Sequence, residues 1–152
     1  MNKIYLSNKR PSDSSFKHCS NLSELDSSSC DSEVTNLIID SFFSCFSFNE
    51  LKEAMELIFK KCRIGCEITI IELDCNLLFR LYAREEIEIH ELNNLFFDSS
   101  KKSILNTETI EKSIPNNFEV KEKSISNLAF LTMKLRRVKW IQKPIAKDVF
   151  SL

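Results

Sequence analysis

The sequence predicts a mixed α/β fold: a three-layer sandwich whose mostly parallel sheet closes with an antiparallel hairpin. Two observations predict it. Short β-branched runs alternate with amphipathic helical runs, an order that favours parallel strands with helices on the sheet faces. The last two strand-like runs follow one another directly, which indicates a closing hairpin. With 152 residues, 43% of them apolar and 28% charged, the chain has the size and composition of one globular domain.

The first part of the chain contains two strand candidates separated by a long polar stretch. Lys3 to Leu6 is a short apolar-rich run, and residues 7–32 are rich in serine, so we predict a strand followed by a loop. Val34 to Ile39 is β-branched and has the length of a buried parallel strand, which Asp40 ends.

An amphipathic helix is predicted to begin near Phe48. Ser47 followed by Glu50 fits a capping box, in which each side chain satisfies a backbone donor at the helix start. Apolar residues then recur at helical spacing as far as Cys62. We expect Gly65 to let the chain turn out of this helix.

The next run, Glu67 to Leu73, is the strongest strand signal in the sequence. Asp74 can cap a helix that runs through Tyr82, and a second helical segment spans residues 88–97. A further short helix is expected to open at Asn106 or Thr107 and to stop at Pro115.

Two strand-like runs end the domain, Phe118 to Ile125 and Leu128 to Arg136, with Ser126-Asn127 between them. That spacing suits a tight hairpin, and apolar side chains on both faces of the second run predict that both faces are covered. We expect one domain over residues 1–140 and a tail over 141–152.

Charge and hydropathy limit the binding partners and the cellular compartment that the sequence predicts. With a formal net charge of −1, the protein has no overall positive electrostatic potential that would attract nucleic acid or anionic lipid. No apolar run could span a bilayer and residues 1–10 lack a secretory signal, so we expect a cytoplasmic protein without membrane contact. The six cysteines are then expected as free thiols, and the spacing of Cys62, Cys66 and Cys75 is unlike a zinc knuckle, so no metal is predicted.

Several ordered segments carry a family resemblance. They are Asn36-Leu-Ile-Ile-Asp40, Phe46-Ser-Phe-Asn-Glu-Leu51, Arg63-Ile-Gly-Cys-Glu-Ile-Thr-Ile70, Lys101-Lys-Ser-Ile-Leu105 and Asn117-Phe-Glu-Val120. Residues 34–136, about two thirds of the chain, resemble class I S-adenosylmethionine-dependent methyltransferases, especially small bacterial and phage-type members. The resemblance implies a Rossmann-like fold, S-adenosylmethionine as cofactor and a methyl acceptor that the sequence does not name.

The amino-terminal part departs from that family. Lys3 to Pro11 looks like its first strand and cofactor loop, yet Ser7, Asn8 and Lys9 stand where the family has glycines. The acidic residue that holds the ribose has no clear counterpart, and the family's Glu-His pair falls on Ser44-Cys45. Residues 1–33 therefore form a degenerate cofactor-side segment, and the fold is shortened in its amino-terminal half. The alternative function is a catalytically inactive methyltransferase-fold protein that acts as a binding or regulatory partner.

Open α/β sheets bind ligands at the carboxyl ends of their strands, so the cofactor contacts are expected there. Methyl transfer from a sulfonium needs mainly alignment and binding, so no catalytic base can be named from motifs. The residues expected to contact the cofactor are Leu6, Ser7, Asn8, Ser20, Asn21, Asp40 and Ser41.

Two further clusters have more than one interpretation. Four phenylalanines from Phe42 to Phe48 either line a substrate pocket or pack in the core, and packing is favoured. Lys134, Arg136, Arg137, Lys139 and Lys143 around Trp140 either contact nucleic acid or form a solvated edge. A shortened sheet would expose apolar surface, which predicts a homo- or hetero-oligomer.

Overall fold

The computed structural model describes residues 2–97, 100–126 and 129–139, which form one six-stranded sheet and five α-helices. The strands are β1 (Lys3–Leu6), β2 (Lys17–Cys19), β3 (Val34–Asp40), β4 (Cys62–Leu73), β5 (Phe118–Ile125) and β6 (Phe130–Arg137). The helices are α1 (Leu22–Ser28), α2 (Phe48–Lys61), α3 (Cys75–Ala83), α4 (Ile89–Phe96) and α5 (Thr107–Ser113), and a 3₁₀ turn spans Phe43–Cys45.

The strands are ordered β2-β1-β3-β4-β6-β5 across the sheet. β1 to β4 are parallel, whereas β6 is antiparallel to both β4 and β5. The predicted mixed α/β fold, a mostly parallel sheet closing with an antiparallel hairpin, is therefore confirmed. The chain crosses from β2 to β3 past β1, which leaves the first strand inside the sheet between two neighbours.

The helix starts follow the local sequence closely. Ser47 and Glu50 form the predicted capping box of α2. Asp74 caps α3 by accepting the backbone N–H of Leu77 at 3.0 Å. Asn106 caps α5 in the same way. Each helix therefore begins where a side chain can satisfy an otherwise unpaired backbone donor.

The main core lies on one face of the sheet. Neighbouring strands contribute Ile4, Leu37 and Ile68, which are at most 1% exposed and share this face because they are paired in register. α1, α2 and α5 pack over them, and their buried side chains include Leu25, Leu51, Met55, Ile58 and Ile110.

The opposite face is covered by helices at one end only. α3 and α4 pack there against Leu73 and Phe130 in a second, smaller core cluster. Tyr5, Ile38 and Thr69 are register neighbours on this face, and all three are half-buried. Tyr5 and Ile38 belong to neither cluster. The second helical layer is thus incomplete on the amino-terminal side, in line with the predicted shortening of that half, because the short connection between β1 and β2 contains no helix.

The loop predicted over residues 7–32 is wrong, since this stretch contains β2 and α1. β2 has only three residues and exists because it pairs with β1. α1 buries a single side chain, Leu25, and its serines are weak helix formers. Tertiary contacts therefore determine the secondary structure of this segment.

Lys61 supplies much of that tertiary contact by joining α1 to α2. Its side chain is buried, and its Nζ donates to the carbonyl oxygen of Ser29 at 3.0 Å. The same ammonium pairs with Asp26 at 2.5 Å and with Asp31 at 3.2 Å. These contacts hold α1 and the residues that follow it, a polar segment without a hydrophobic stripe of its own, against α2.

Gly65 does not lie in a turn, contrary to expectation. α2 passes directly into β4 at Cys62, and Gly65 sits within that strand at φ +82°. Between the pairs Val34–Cys62 and Asn36–Glu67, β3 advances two residues and β4 advances five. The extra residues form a bulge, and glycine provides its left-handed backbone.

The hairpin exists, but β6 begins at Phe130 and not at Leu128. The N–H of Ser126 donates to the carbonyl of Phe130 at 2.9 Å, so the connection is longer than the predicted two residues. Residues 127 and 128, like Trp140 and the predicted tail over 141–152, lie outside the described residues. The domain limits stay a prediction.

In the described ranges, no helix combines the length and apolarity that a bilayer crossing requires.

Candidate functional site

The carboxyl ends of β1, β2 and β3 lie side by side at one edge of the sheet. Leu6 is paired with Cys19 of β2 and with Ile39 of β3, so the residues that follow these strands are level with one another. The seven predicted residues lie at these three adjacent strand ends. At the end of β1 are Leu6, Ser7 and Asn8, after β2 are Ser20 and Asn21, and at the end of β3 are Asp40 and Ser41. Their role in binding stays a prediction.

The turn after β1 is built without glycine. Ser7 is 3% exposed, and its N–H donates to the carbonyl of Cys19 at 3.1 Å. Its hydroxyl accepts the N–H of Lys9 at 3.2 Å, and its carbonyl lies 2.7 Å from Nε2 of His18. Ser7, Asn8 and Lys9 all have negative φ. The serine side chain is therefore held inside the turn, and no residue here needs a glycine's backbone freedom.

Asn8 reaches across the edge to the segment that follows β3. Its amide nitrogen lies 3.1 Å from the Sγ of Cys45, and the side chain is exposed. Burial raises the pKa of the Cys45 thiol, so this group stays neutral at neutral pH. A single exposed contact to a thiol is weak, and a rotamer change of Asn8 can open it.

Asp40 is the carboxylate at the end of the central strand. Its Oδ2 accepts the hydroxyl of Tyr5 at 2.5 Å, and its Oδ1 accepts the hydroxyl of Ser41 at 3.0 Å. Burial, the hydrogen bond to Asp40 and the negative charge of that carboxylate raise the pKa of Tyr5 to about 12. Tyr5 is thus a neutral donor that holds Asp40 in place, and the remaining lone pairs of the carboxylate can accept from a ligand.

Ser41 has a left-handed backbone at the same strand end. Its φ is +51°, and its N–H donates to the carbonyl of Ile71 at 2.8 Å, which continues the β3–β4 pairing by one residue. Serine pays a conformational cost in this region. Ser32, Glu85 and Ala129 also have positive φ, so this backbone conformation is not confined to the strand end.

Ser20 and Asn21 at the end of β2 are engaged with α1. Both the N–H and the hydroxyl of Ser20 donate to Oε2 of Glu24, at 2.6 and 2.9 Å. Asn21 caps the helix by accepting the N–H of Glu24 at 2.9 Å. Hydrogen bonds from Ser20 lower the pKa of Glu24, so a carboxylate stands beside this strand end. Sequence reasoning missed Glu24 because it did not find β2.

Glu72 is a second group that sequence reasoning missed. It lies near the end of β4, is 1% exposed, and accepts the N–H of Phe43 at 3.0 Å. Burial raises its pKa. A glutamate between Ile71 and Leu73 in the strongest strand was the available signal, since charged residues are rarely buried without a partner.

The other sequence candidates do not add to this edge. Phe42 and Phe43 are buried in the core, which agrees with the packing interpretation, whereas Phe48 is 69% exposed. Lys134 pairs with Glu122 at 2.7 Å, while Trp140 and Lys143 lie outside the described residues. Nucleic-acid contact therefore stays a prediction. Across the described ranges, histidine, cysteine and carboxylate groups form no cluster of three that could hold a metal.

Comparisons with known proteins support the fold. No protein-family model matches the chain, and no curated protein sequence matches it. A methyltransferase from Methanosarcina mazei described as SAM-dependent has a TM-score of 0.55 at 12% identity, over 81% of this chain and 66% of that one. A SAM-dependent methyltransferase from Archaeoglobus fulgidus has a TM-score of 0.53 at 14% identity, over 80% and 68%.

A third similar structure was determined with ligands bound. The 1,6-didemethyltoxoflavin-N1-methyltransferase of Burkholderia thailandensis, with 1,6-didemethyltoxoflavin and S-adenosylhomocysteine bound, has a TM-score of 0.53 at 10% identity. The alignment covers 90% of this chain and 62% of that one. The chain thus spans about two thirds of the length of these three proteins. At such low identity the likeness shows the fold alone, a Rossmann-like α/β fold that the chain shares with these proteins.

Proposed function

We propose that the protein binds S-adenosylmethionine at the carboxyl ends of β1 to β3 and acts as a methyltransferase on an acceptor of unknown identity. The observation that carries the proposal is that polar side chains follow the carboxyl ends of three adjacent parallel strands, with the Asp40 carboxylate at the end of β3. The likeness of the fold to methyltransferases supports it.

The chemistry of this edge fits an adenosyl ligand. Asp40 keeps acceptor capacity for hydroxyl or ammonium donors, and Asn8 can both donate and accept. Ser7 keeps its hydroxyl inside the turn, so the residue that replaces a glycine does not project over the strand ends. S-adenosylmethionine carries its own leaving group, so the chain's task is to bind and align it against the acceptor.

A noncatalytic relative is the second candidate, and two observations favour it. The Asn8 side chain spans the ends of β1 and β3 to Cys45, where a ligand would have to lie. Tyr5 and Ile38 on the less covered sheet face belong to neither core cluster, which suits a homo- or hetero-oligomeric partner. In this case the fold serves as a binding or regulatory module.

Calorimetric titration with S-adenosylmethionine and S-adenosylhomocysteine tests the first proposal. We expect saturable binding, weakened at least about tenfold by Asp40→Asn because the variant loses a charged acceptor. Glu56→Gln makes the same chemical change on the solvent side of α2 and should bind as the parent chain does. Absence of heat and of any thermal shift with either ligand at millimolar concentration would refute the proposal.

Asn8→Ala separates the two candidates further. Asn8→Ala should weaken S-adenosylhomocysteine binding if Asn8 contacts the ligand and should tighten it if the Asn8–Cys45 contact closes the edge, whereas Asn94→Ala on the exposed surface of α4 should leave binding unchanged. Absent binding in both variants, together with a dimeric or larger mass by light scattering, would favour the noncatalytic candidate.

A further inference from the structure

A buried polar cluster lies beneath the carboxyl end of β4. Glu72 is 1% exposed and Ser44 is 4% exposed, and Ser103 approaches them from the segment before α5. Oε1 of Glu72 and the hydroxyls of Ser44 and Ser103 are inaccessible to solvent and make no hydrogen bond of good geometry among the described residues, although the Ser44 hydroxyl is near enough to Glu72 to oppose the rise in its pKa. An unpaired buried polar atom is costly, so three of them at one place call for a common partner.

The three residues line one small cavity. Its remaining wall is largely apolar and includes Leu73, Phe96 and Leu105. The cavity offers about 10 Å³ to the centre of a water-sized molecule, which is close to the room that one water needs. Lys101 is also part of the wall, but its ammonium donates to the carbonyl of Leu95 at 2.5 Å.

We propose that this cavity binds one water molecule, which bridges Oε1 of Glu72 and the hydroxyls of Ser44 and Ser103. Water suits this set because it can donate to the carboxyl oxygen while exchanging hydrogen bonds with both hydroxyls. Three partners is the usual number for a buried structural water.

The water joins three segments that are already drawn together by backbone hydrogen bonds. The carbonyl of Ser44 accepts the N–H groups of Lys102 at 2.8 Å and Ser103 at 3.1 Å. Phe43 donates its N–H to the other oxygen of Glu72. The bound water completes this network and fixes the 3₁₀ turn, with Cys45 at its end, relative to β4. This inference does not depend on whether the edge binds S-adenosylmethionine.

A crystal structure that shows ordered water, with crystals grown once in sodium and once in potassium salts, tests the proposal directly. We expect one density peak about 2.6–3.2 Å from all three oxygen atoms and equal in both salts. A peak that grows with potassium would identify a cation site and overturn the assignment. A direct Ser44–Glu72 hydrogen bond without a third atom would overturn it as well.

Water-to-amide nuclear Overhauser effects at Phe43 and Ser103 provide a second readout in solution. Ser103→Ala removes one partner of the water, so these signals should weaken and the unfolding midpoint should fall by about 2–6 °C. Ser124→Ala on the exposed surface of β5 is the matched control and should change neither quantity. Retention of both the signals and the midpoint in Ser103→Ala would contradict the bridge.

Discussion

Replacement of Asp74 by asparagine tests how the carboxyl end of β4 is held together. The Asp74 carboxylate is 4% exposed and accepts three hydrogen bonds. The N–H of Leu77 donates to Oδ1 at 3.0 Å, and the N–H and hydroxyl of Thr107 donate to Oδ2 at 2.7 and 2.6 Å. One side chain therefore begins α3 and ties it to the first residue of α5.

The size of the effect follows from which of these bonds asparagine can keep. The amide oxygen can still accept from Leu77, but the amide NH₂ then faces the two donors of Thr107. Hydrogen bonds to charged groups are worth about 1.5–3 kcal/mol each, and an unpaired buried donor costs about 1–3 kcal/mol. Since Thr107 is half-buried, we expect a loss of about 2–3 kcal/mol in unfolding free energy, or about 4–12 °C in midpoint.

The pH dependence of this loss is the sharper test. Burial raises the pKa of Asp74, but the hydrogen bonds from Thr107 and Leu77 outweigh it and lower the pKa overall. A carboxylate with a lowered pKa stabilises the fold above its ordinary pKa and loses that contribution as pH falls through the folded value. Urea denaturation should therefore show the full deficit of Asp74→Asn near neutral pH and a shrinking one in acid.

Asp13→Asn is the control, because Asp13 is an exposed loop carboxylate whose hydrogen bonds come from the neighbouring Ser15, including its N–H at 2.8 Å. Its denaturation midpoint should match that of the parent chain near neutral pH. An Asp74→Asn deficit that is constant from acid to neutral pH, or no larger than the Asp13 effect, would refute the reasoning.

Substitutions at three other positions test single features of the fold. Burial raises the pKa of Glu72, so its contribution to stability is present below its ordinary pKa and lost as pH rises through the folded value. Glu72→Gln should therefore gain stability over the parent chain with rising pH in urea titrations, and a pH-independent difference contradicts this. Ser41→Gly should be about 1 kcal/mol more stable than Ser41→Ala, because both lose the hydroxyl and only glycine relieves the left-handed backbone; equal midpoints would remove the strain argument. Gly65→Ala should cost about 1 kcal/mol from backbone strain alone, since no atom lies within 4 Å of an added Cβ, and a much larger thermal shift would reveal a clash.

Elements with strong local signals were predictable from the sequence. Ser47 with Glu50 satisfies backbone donors within one turn of chain, so the start of α2 needed no knowledge of the fold. β3 and the second half of β4 are apolar because they are buried in the middle of the sheet, and composition alone reveals that. The order of these elements was enough to predict the fold class.

Elements that depend on distant partners were not predictable. β2 is a three-residue edge strand defined by its pairing with β1, and α1 is held by Lys61 from another helix. Gly65 resembles a turn residue locally, and only the register of β3 against β4 shows that it is part of a bulge.

The candidate site shows the same division. Asp40 could be placed because it follows an evident strand, whereas Glu24 required β2 to be known first. Glu72 was missed because the cavity beneath it is formed by three segments distant in sequence. Contacts between such segments leave little trace in a single sequence.

The inner position of β1 has a practical consequence for protein chemistry. Four residues of β1 pair with β3, and Ile4 and Leu6 are fully buried, so this strand is retained by the sheet independently of the link to β2. That link is exposed at Lys9, after which trypsin can cleave, whereas Pro11 protects the bond after Arg10. A nicked chain should then remain assembled as two pieces, and a synthetic peptide carrying the first strand could be exchanged into it. Spectroscopic or photoreactive amino acids could be introduced in that way directly beside the strand ends.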